Sequence, residues 1–313
     1  MSSVDTLAVV IEAPERLALA PVTLLPAGVD DVLVDVEWSG ISTGTERLLW
    51  SGRMPPFPGM GYPLVPGYET IGRIADASGE ARSRIGERVF VPGSRGFAEV
   101  RGLFGGAAGR LVVPAAKAVP IEETLGENAV LLALAATARH AAVAGELPEL
   151  IVGHGVLGRL LARVVVALGG APTVWETNPA RRDGASGYVV RDPGADDRRD
   201  YGGICDVSGD SGLLDALVAR LAPGGEIVLA GFYEAPLSFA FPAAFMREAR
   251  IRIAAEWKPC DMEAVLALVA SGRLSLDGLI THRAAAADAA AAYRTAFDDP
   301  ACLKMILDWR SPR

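Results

Sequence analysis

Three cysteines in 313 residues leave little to build with. Cys205, Cys260 and Cys302 are scattered and odd in number, so neither a disulfide framework nor a CxxC metal site can be assembled from them. This usage suits a reducing cytoplasm, the location the sequence predicts. Positive charge is also short. Lys and Arg number 30 against 38 Asp and Glu, a net charge of −8. A face that grips nucleic-acid phosphates needs a basic excess, so nucleic acid is not an expected partner. Long apolar runs are missing too. The run over 129–138 stops at Arg139, and Arg163 interrupts the next apolar pattern, so no membrane span is expected. The opening MSSVDTLAVVIEAPE carries acids early and lacks the basic segment of a signal peptide.

Apolar material for cores is plentiful. Hydrophobic residues make up 50% and charged residues 22%, which excludes wholesale disorder. The length suits two domains. The first third is β-rich: 7–12, 31–38, 69–75, 88–91 and 110–113 are short runs rich in Val and Ile, separated by Gly and Pro. From 150 onward, strand patterns at 150–152, 173–175, 188–190, 204–207, 226–230 and 250–255 alternate with helical ones, notably 158–168 and 211–221. Such alternation predicts an α/β fold with a doubly wound parallel sheet. After Pro259 come helical patterns at 261–271 and 287–297 and a last strand at 304–309; the alanine run 284–292 reads as helix.

One stretch carries the most chemistry. Residues 151–176 read IVGHGVLGRLLARVVVALGGAPTVWE. A strand runs into Gly153-His154-Gly155-Val156-Leu157-Gly158, a helix follows, then a second strand ending in Glu176. Strand, GxGxxG, helix, strand and acid together form the dinucleotide-binding fingerprint in its expected context. Gly153 permits the tight turn, Gly155 clears the approach of a pyrophosphate, and Gly158 lets helix and strand pack closely. Free N–H groups at the helix start, from His154 to Leu157, face the pyrophosphate. Glu176 lies 23 residues past Gly153, close to the roughly 20 at which a carboxylate takes the ribose hydroxyls and repels a 2′-phosphate. The predicted cofactor is therefore NAD, although Arg181 and Arg182 lie nearby. Ser208 and Gly231, directly after two later strand patterns, are assigned to the same cofactor.

The order of a β-rich domain, a six-strand nucleotide domain and a return segment resembles the medium-chain dehydrogenase/reductase superfamily. Gly86-Glu87-Arg88-Val89 resembles its GDRV turn, Val65-Pro66-Gly67-Tyr68-Glu69 its GHE segment, and Ala136-Thr137-Ala138 the helix that opens its cofactor domain. Residues 221–228 resemble the turn and strand before its fifth loop. The resemblance implies a GroES-like catalytic domain over 1–129 and 258–313 and a Rossmann domain over 130–257. It also implies pairing of copies through 251–255, giving a homodimer. Three stretches, 38–69, 241–250 and 302–309, are similar to a branch of that superfamily serving bacteriochlorophyll biosynthesis. That likeness implies NAD-dependent oxidation of a hydroxyethyl group on a bacteriochlorophyllide macrocycle to an acetyl group.

Departures from the superfamily pattern matter most for the chemistry. Zinc-dependent members hold their metal with a Cys, the His of GHE and a further acid or Cys. Here Ser42 stands for the Cys and Tyr68 for the His, and 93–110 contains no Cys. Hydroxyl and phenol groups are poor zinc ligands, so no metal is expected. Tyr68 is the nominated acid/base, and needs a nearby cation or the positive charge of the nicotinamide because a free phenol titrates near pH ~10. Ser42, Thr43 and Thr45 either relay the proton or hydrogen-bond their own loop. Glu69 is either catalytic or a structural acid. In a chain with only 6% aromatics, Trp50, Met54, Phe57, Met60 and Tyr62 crowd one Pro- and Gly-rich loop. They either form an apolar face for the macrocycle or pack on their own domain. Arg47, Arg53 or Arg101 are candidates for a ring carboxylate. His154 is expected over the pyrophosphate, and His282 in a structural turn. Two other readings remain: a metal-free quinone or enoyl reductase, against which Glu176 argues, and a non-catalytic pigment carrier.

Overall fold

The computed structural model describes residues 4–56, 58–143 and 145–310, so Phe57 lies outside the described residues. The chain forms two compact units. One holds residues up to Leu132 and from Asp277 onward; the other is Ala133–Leu276.

The first unit is built on the strand Asp31–Ile41. Its run of Val and Leu is buried on both faces, which a central strand requires. It pairs antiparallel with Thr70–Ala77, Arg110–Pro114 and Met305–Asp308 within a seven-stranded sheet. A four-stranded sheet is led by the hairpin of Val4–Ala13 and Arg16–Leu24. Arg16–Leu24 gave no clear strand pattern in the sequence; Glu15, with φ of 62°, makes its tight turn. Met305 pairs with Ile41, so the last strand carries Lys304 to the end of a strand from the other end of the chain.

The second unit is a six-stranded parallel sheet in the spatial order Val189–Arg191, Thr173–Trp175, Leu150–Val152, Tyr201–Asp206, Leu221–Leu229, Arg250–Ile253. The order reverses between Leu150–Val152 and Tyr201–Asp206. Ligands of such sheets bind outside the carboxyl ends of the strands at that reversal. The helix Val156–Ala167 packs its buried face, including Leu160, Leu161, Val164 and Val165, on the sheet.

Several expectations shift. The second domain boundary falls at 277 rather than 258. Helix Pro259–Ala270 is tied to the second unit by Arg139 and His140 on Asp261, and Arg273 reaches the carbonyl of Ala167. Of the helix expected over 211–221, only Leu214–Val218 is helical; Leu221 pairs with Tyr201 and opens a strand. His282–Ala285 is a strand on Met305–Asp308, so sheet pairing overrides alanine's helix preference there. Among the described residues no helix is long and apolar enough to cross a membrane.

Candidate active site

The first unit gathers a buried polar cluster around the end of Asp31–Ile41. Ser42 leaves that strand, and its Oγ lies 2.7 Å from the hydroxyl of Tyr68. Helix Thr45–Ser51 follows and sends Glu46 inward with no exposure. Glu46 Oε1 accepts the Ser42 N–H at 3.0 Å, and Oε2 accepts the hydroxyl of Tyr293 at 2.6 Å. Glu69, also fully buried, takes Lys304 Nζ on Oε2 at 2.6 Å, and Lys304 donates as well to the carbonyl of Ile41 at 3.1 Å. The other oxygen, Glu69 Oε1, has no hydrogen-bond partner among the described residues. Gly40 is required beside this pair, because a Cβ there would stand 2.1 Å from Glu69 Oε2.

Charge in the cluster follows from burial. Desolvation pushes Glu46 up to about 7, against hydrogen bonds from Tyr293 and Ser42 that favour the anion. Burial likewise raises Glu69, and Lys304 opposes it. The Tyr68 phenol moves upward too, first through burial and then through the charge of Glu69; Ser42 and Thr45 only partly oppose this. Among the described residues Lys304 does not lower the phenol, which leaves the positive charge of a nicotinamide as the other source expected from the sequence. The ammonium of Lys304 is spent on Glu69, so Tyr68 stays a neutral hydroxyl near neutral pH. Thr43 is partly buried, and no side-chain hydrogen bond joins it to Ser42 among the described residues. Glu46, Tyr293 and Lys304 were not singled out from sequence. The one available signal was a lysine inside the apolar run 302–309.

In the second unit, Gly153 takes a φ of 102°, open to glycine. A Cβ on Gly158 would stand 1.9 Å from the Gly153 carbonyl oxygen, whereas one on Gly155 would meet nothing within 4 Å. Gly155 begins the helix Val156–Ala167, and no side chain caps its first N–H groups. Space and donors thus coincide where a pyrophosphate would lie. Glu176 accepts the N–H of His154 on Oε2 at 3.1 Å and of Asn178 on Oε1 at 2.8 Å. Ser208 and Gly231 meet at the strand ends, both N–H groups donating to Asp206. Asp206 is itself buried beside Tyr233 and raised by desolvation.

His154 departs from expectation. Its imidazole is fully buried, with Nδ1 on the carbonyl of Arg181 and Nε2 on the hydroxyl of Tyr188. The carbonyl can only accept, so Nδ1 carries the proton and Tyr188 donates to Nε2. Burial lowers its pKa, keeping the ring neutral. Only the backbone of His154 belongs to the turn.

The apolar loop is largely its own core. Met54 is buried with Ile11, Leu48, Leu49, Leu64 and Leu103, and Trp50, Met60 and Tyr62 pack partly buried against that group. Tyr62 donates its hydroxyl to the carbonyl of Leu49, and Trp50 lies on Phe297 with ring centres 5.6 Å apart. Trp50 also lines an open cleft of about 240 Å³ with Glu12, Arg16 and Arg294, a polar lining unsuited to a flat apolar ring.

A β-rich unit led by antiparallel sheets, joined in sequence to a doubly wound unit with a glycine turn, is the GroES-like and Rossmann architecture of medium-chain alcohol dehydrogenases. The alcohol dehydrogenase GroES-like domain matches residues 28–123. A 2-desacetyl-2-hydroxyethyl bacteriochlorophyllide A dehydrogenase of Rhodobacter capsulatus is 57% identical, the match covering 99% of this chain and 100% of the relative. A protein of the same name from Cereibacter sphaeroides is 58% identical over 98% of this chain and 99% of its own. An alcohol dehydrogenase of Escherichia coli CFT073, solved with NADH, shares the fold with a TM-score of 0.83 at 24% identity, over 97% of this chain and 99% of that one. The chain belongs to the family of these bacteriochlorophyllide dehydrogenases within the medium-chain dehydrogenase/reductase superfamily, and it is an oxidoreductase acting on an alcohol.

Proposed function

We propose that this chain uses NAD to oxidise the 3-(1-hydroxyethyl) group of a bacteriochlorophyllide precursor to a 3-acetyl group, without protein-bound zinc. The observation that carries the substrate is the end-to-end identity with two relatives of that name. NAD rather than NADP is supported by Glu176. A carboxylate offers about four acceptor positions, and two backbone N–H groups occupy two of them, leaving capacity for ribose hydroxyls. Arg182 is committed to Asp192 and to the carbonyls of Glu176 and Thr177 instead of standing free for a 2′-phosphate.

The residues at the superfamily's zinc position do not fit a zinc ion. Ser42 and Tyr68 bond each other, the phenol resists ionisation, and Glu69 is held by an ammonium. A bound nicotinamide supplies the hydride acceptor. In the first unit the paired hydroxyls of Ser42 and Tyr68 orient the alcohol oxygen, and the neutral phenol donates to it as charge develops. The alcohol proton passes to the hydroxyl of Ser42, which in the same step releases its own proton to solvent water. Thr45 tunes the phenol from its side. Copies pair through the open edge of Arg250–Ile253, where Ile253, Phe241, Phe245 and Met246 are exposed.

The test uses protein stripped of metal by chelator, mixed with NAD and hydroxyethyl bacteriochlorophyllide. The expected result is a red shift of the long-wavelength band, from an acetyl group conjugated to the ring, in step with NADH formation. An unchanged spectrum overturns the substrate; activity restored only by zinc overturns the metal-free chemistry.

A further inference from the structure

The buried cluster holds one carboxyl more than it has cations. Lys304 is matched by Glu69 at 2.6 Å. Among the described residues Glu46 has no cation in contact and is satisfied by the Ser42 N–H and the Tyr293 hydroxyl. The groups facing it come from four directions: Ser42 from the end of Asp31–Ile41, Tyr293 from helix Ala289–Asp298, Tyr68 and Glu69 from the segment before Thr70–Ala77, and Lys304 from the segment before Met305–Asp308. Glu46 therefore grips the backbone of the very residue whose hydroxyl meets Tyr68.

We infer that Glu46 is a positioning residue whose ionised form locks Ser42 against Tyr68, making proton loss from Glu46 the step that readies the site for alcohol oxidation. This rests on the reading of Ser42 and Tyr68 as the alcohol-holding pair. Two physical effects act together. A hydrogen bond to an ionised acceptor is roughly twice as strong as one to a neutral acceptor, so the anion holds the Ser42 N–H more firmly. The anion also adds to the field that keeps the Tyr68 phenol protonated and able to donate. When Glu46 is protonated, its hold on Ser42 weakens and that field falls. Tyr293 can donate or accept, so the 2.6 Å contact survives in both states. The titration centred at about 7 places the change where the enzyme's rate would register it.

The experiment has an activity-free arm and a kinetic arm. Infrared difference spectra of the cofactor-free protein across pH should show a protonated-carboxyl C=O band disappearing with a midpoint near neutral, absent from Glu46→Gln. A band that titrates in the ordinary carboxylate range, or that persists in Glu46→Gln, overturns the inference whatever the substrate proves to be. Initial-rate kcat/KM for alcohol oxidation should rise with pH through the same midpoint. Glu46→Gln should lose that limb and stay near the low-pH rate of the parent. Tyr293→Phe removes a donor that favours the anion, so it should move both the infrared and the kinetic midpoints upward. Midpoints unmoved by Tyr293→Phe, or a limb retained by Glu46→Gln, overturn the role. If turnover of the bacteriochlorin fails but the band behaves as stated, it is the substrate reading that falls.

Discussion

Residue by residue, the cluster around Ser42 shows what a side chain can and cannot announce. Ser42 and Tyr68 were legible because they stand where the superfamily's ligands stand, and their hydroxyls do meet at 2.7 Å. Glu69 was legible as an acid of two readings, and its full burial against Lys304 gives it a structural partner. Lys304 and Tyr293 were not legible, because long-range strand register and helix packing bring them in; their hydrogen bonds span 235 and 247 residues of chain. The Lys304–Glu69 pair has a direct consequence for stability. Removing one partner of a buried pair strands the other charge, at a cost of about 3–5 kcal/mol, whereas removing both charges is far milder. Lys304→Met should therefore lower the unfolding free energy by about that amount in urea titrations. The double change Lys304→Met with Glu69→Gln should recover most of the loss. A double variant no more stable than the single one would show that burial of Glu69 is not the cause. At the nucleotide end, Glu176→Ala should weaken NAD more than NADP in binding titrations; equal weakening would remove the ribose role.

Among the elements, the glycine turn separates two uses of one residue type. Gly158 is required by packing, since a Cβ would sit 1.9 Å from the Gly153 carbonyl oxygen. Gly155 is surrounded by open space and has an extended φ of −71° that any residue tolerates. Gly158→Val should consequently destabilise the second unit, read as a lower thermal midpoint with or without cofactor. Gly155→Val should leave the midpoint near the parent's and abolish the stabilisation that dinucleotide gives. Equal thermal loss in both would mean that the turn is packed and not a binding surface. The short strands Leu150–Val152 and Thr173–Trp175 were read at their observed bounds, because a brief apolar run before a glycine turn or an acid has few alternatives. The region 211–221 misled because its leucines sit at helical spacing, while its last leucine is claimed by pairing with Tyr201. The loop from Trp50 to Tyr62 was legible only as one of two readings, because composition shows that a loop is apolar, but only packing shows which way it turns. Of its described residues, Met54 is buried with Ile11 and Leu64, and Trp50, Met60 and Tyr62 are partly buried against that group.

For the molecule as a whole, activity and stability should run against each other with pH. Glu46 is raised in the fold from 4.5 to about 7, so the folded state binds its proton more tightly than the unfolded chain does. The stability this contributes is complete below pH 4.5 and is lost as pH climbs through about 7. The shift corresponds to about 3 kcal/mol, from roughly 1.4 kcal/mol per pKa unit. Asp196 and Asp261 have the opposite sign. Hydrogen bonds from Tyr201 and Trp175 hold Asp196 down against the opposing burial, and those from Lys258, Arg139 and His140 do the same for Asp261. Their contribution is present above the ordinary Asp range and is lost as pH falls through their lowered values. Together these groups put the peak of stability on the acid side of neutral, while the Ser42–Tyr68 pair is readied only after Glu46 has lost its proton. The unfolding free energy should thus decline between pH 5 and 8 over the range in which kcat/KM rises. Glu46→Gln cannot ionise, so its stability should decline less than the parent's over that interval, with Glu69 and Asp206 still raised, and should exceed the parent's at the alkaline end. Parallel denaturant titrations of the two proteins at several pH values decide it. If the parent and Glu46→Gln decline together, the lost stability belongs to other groups, and the buried acid does not set the balance between holding the fold and arming the site.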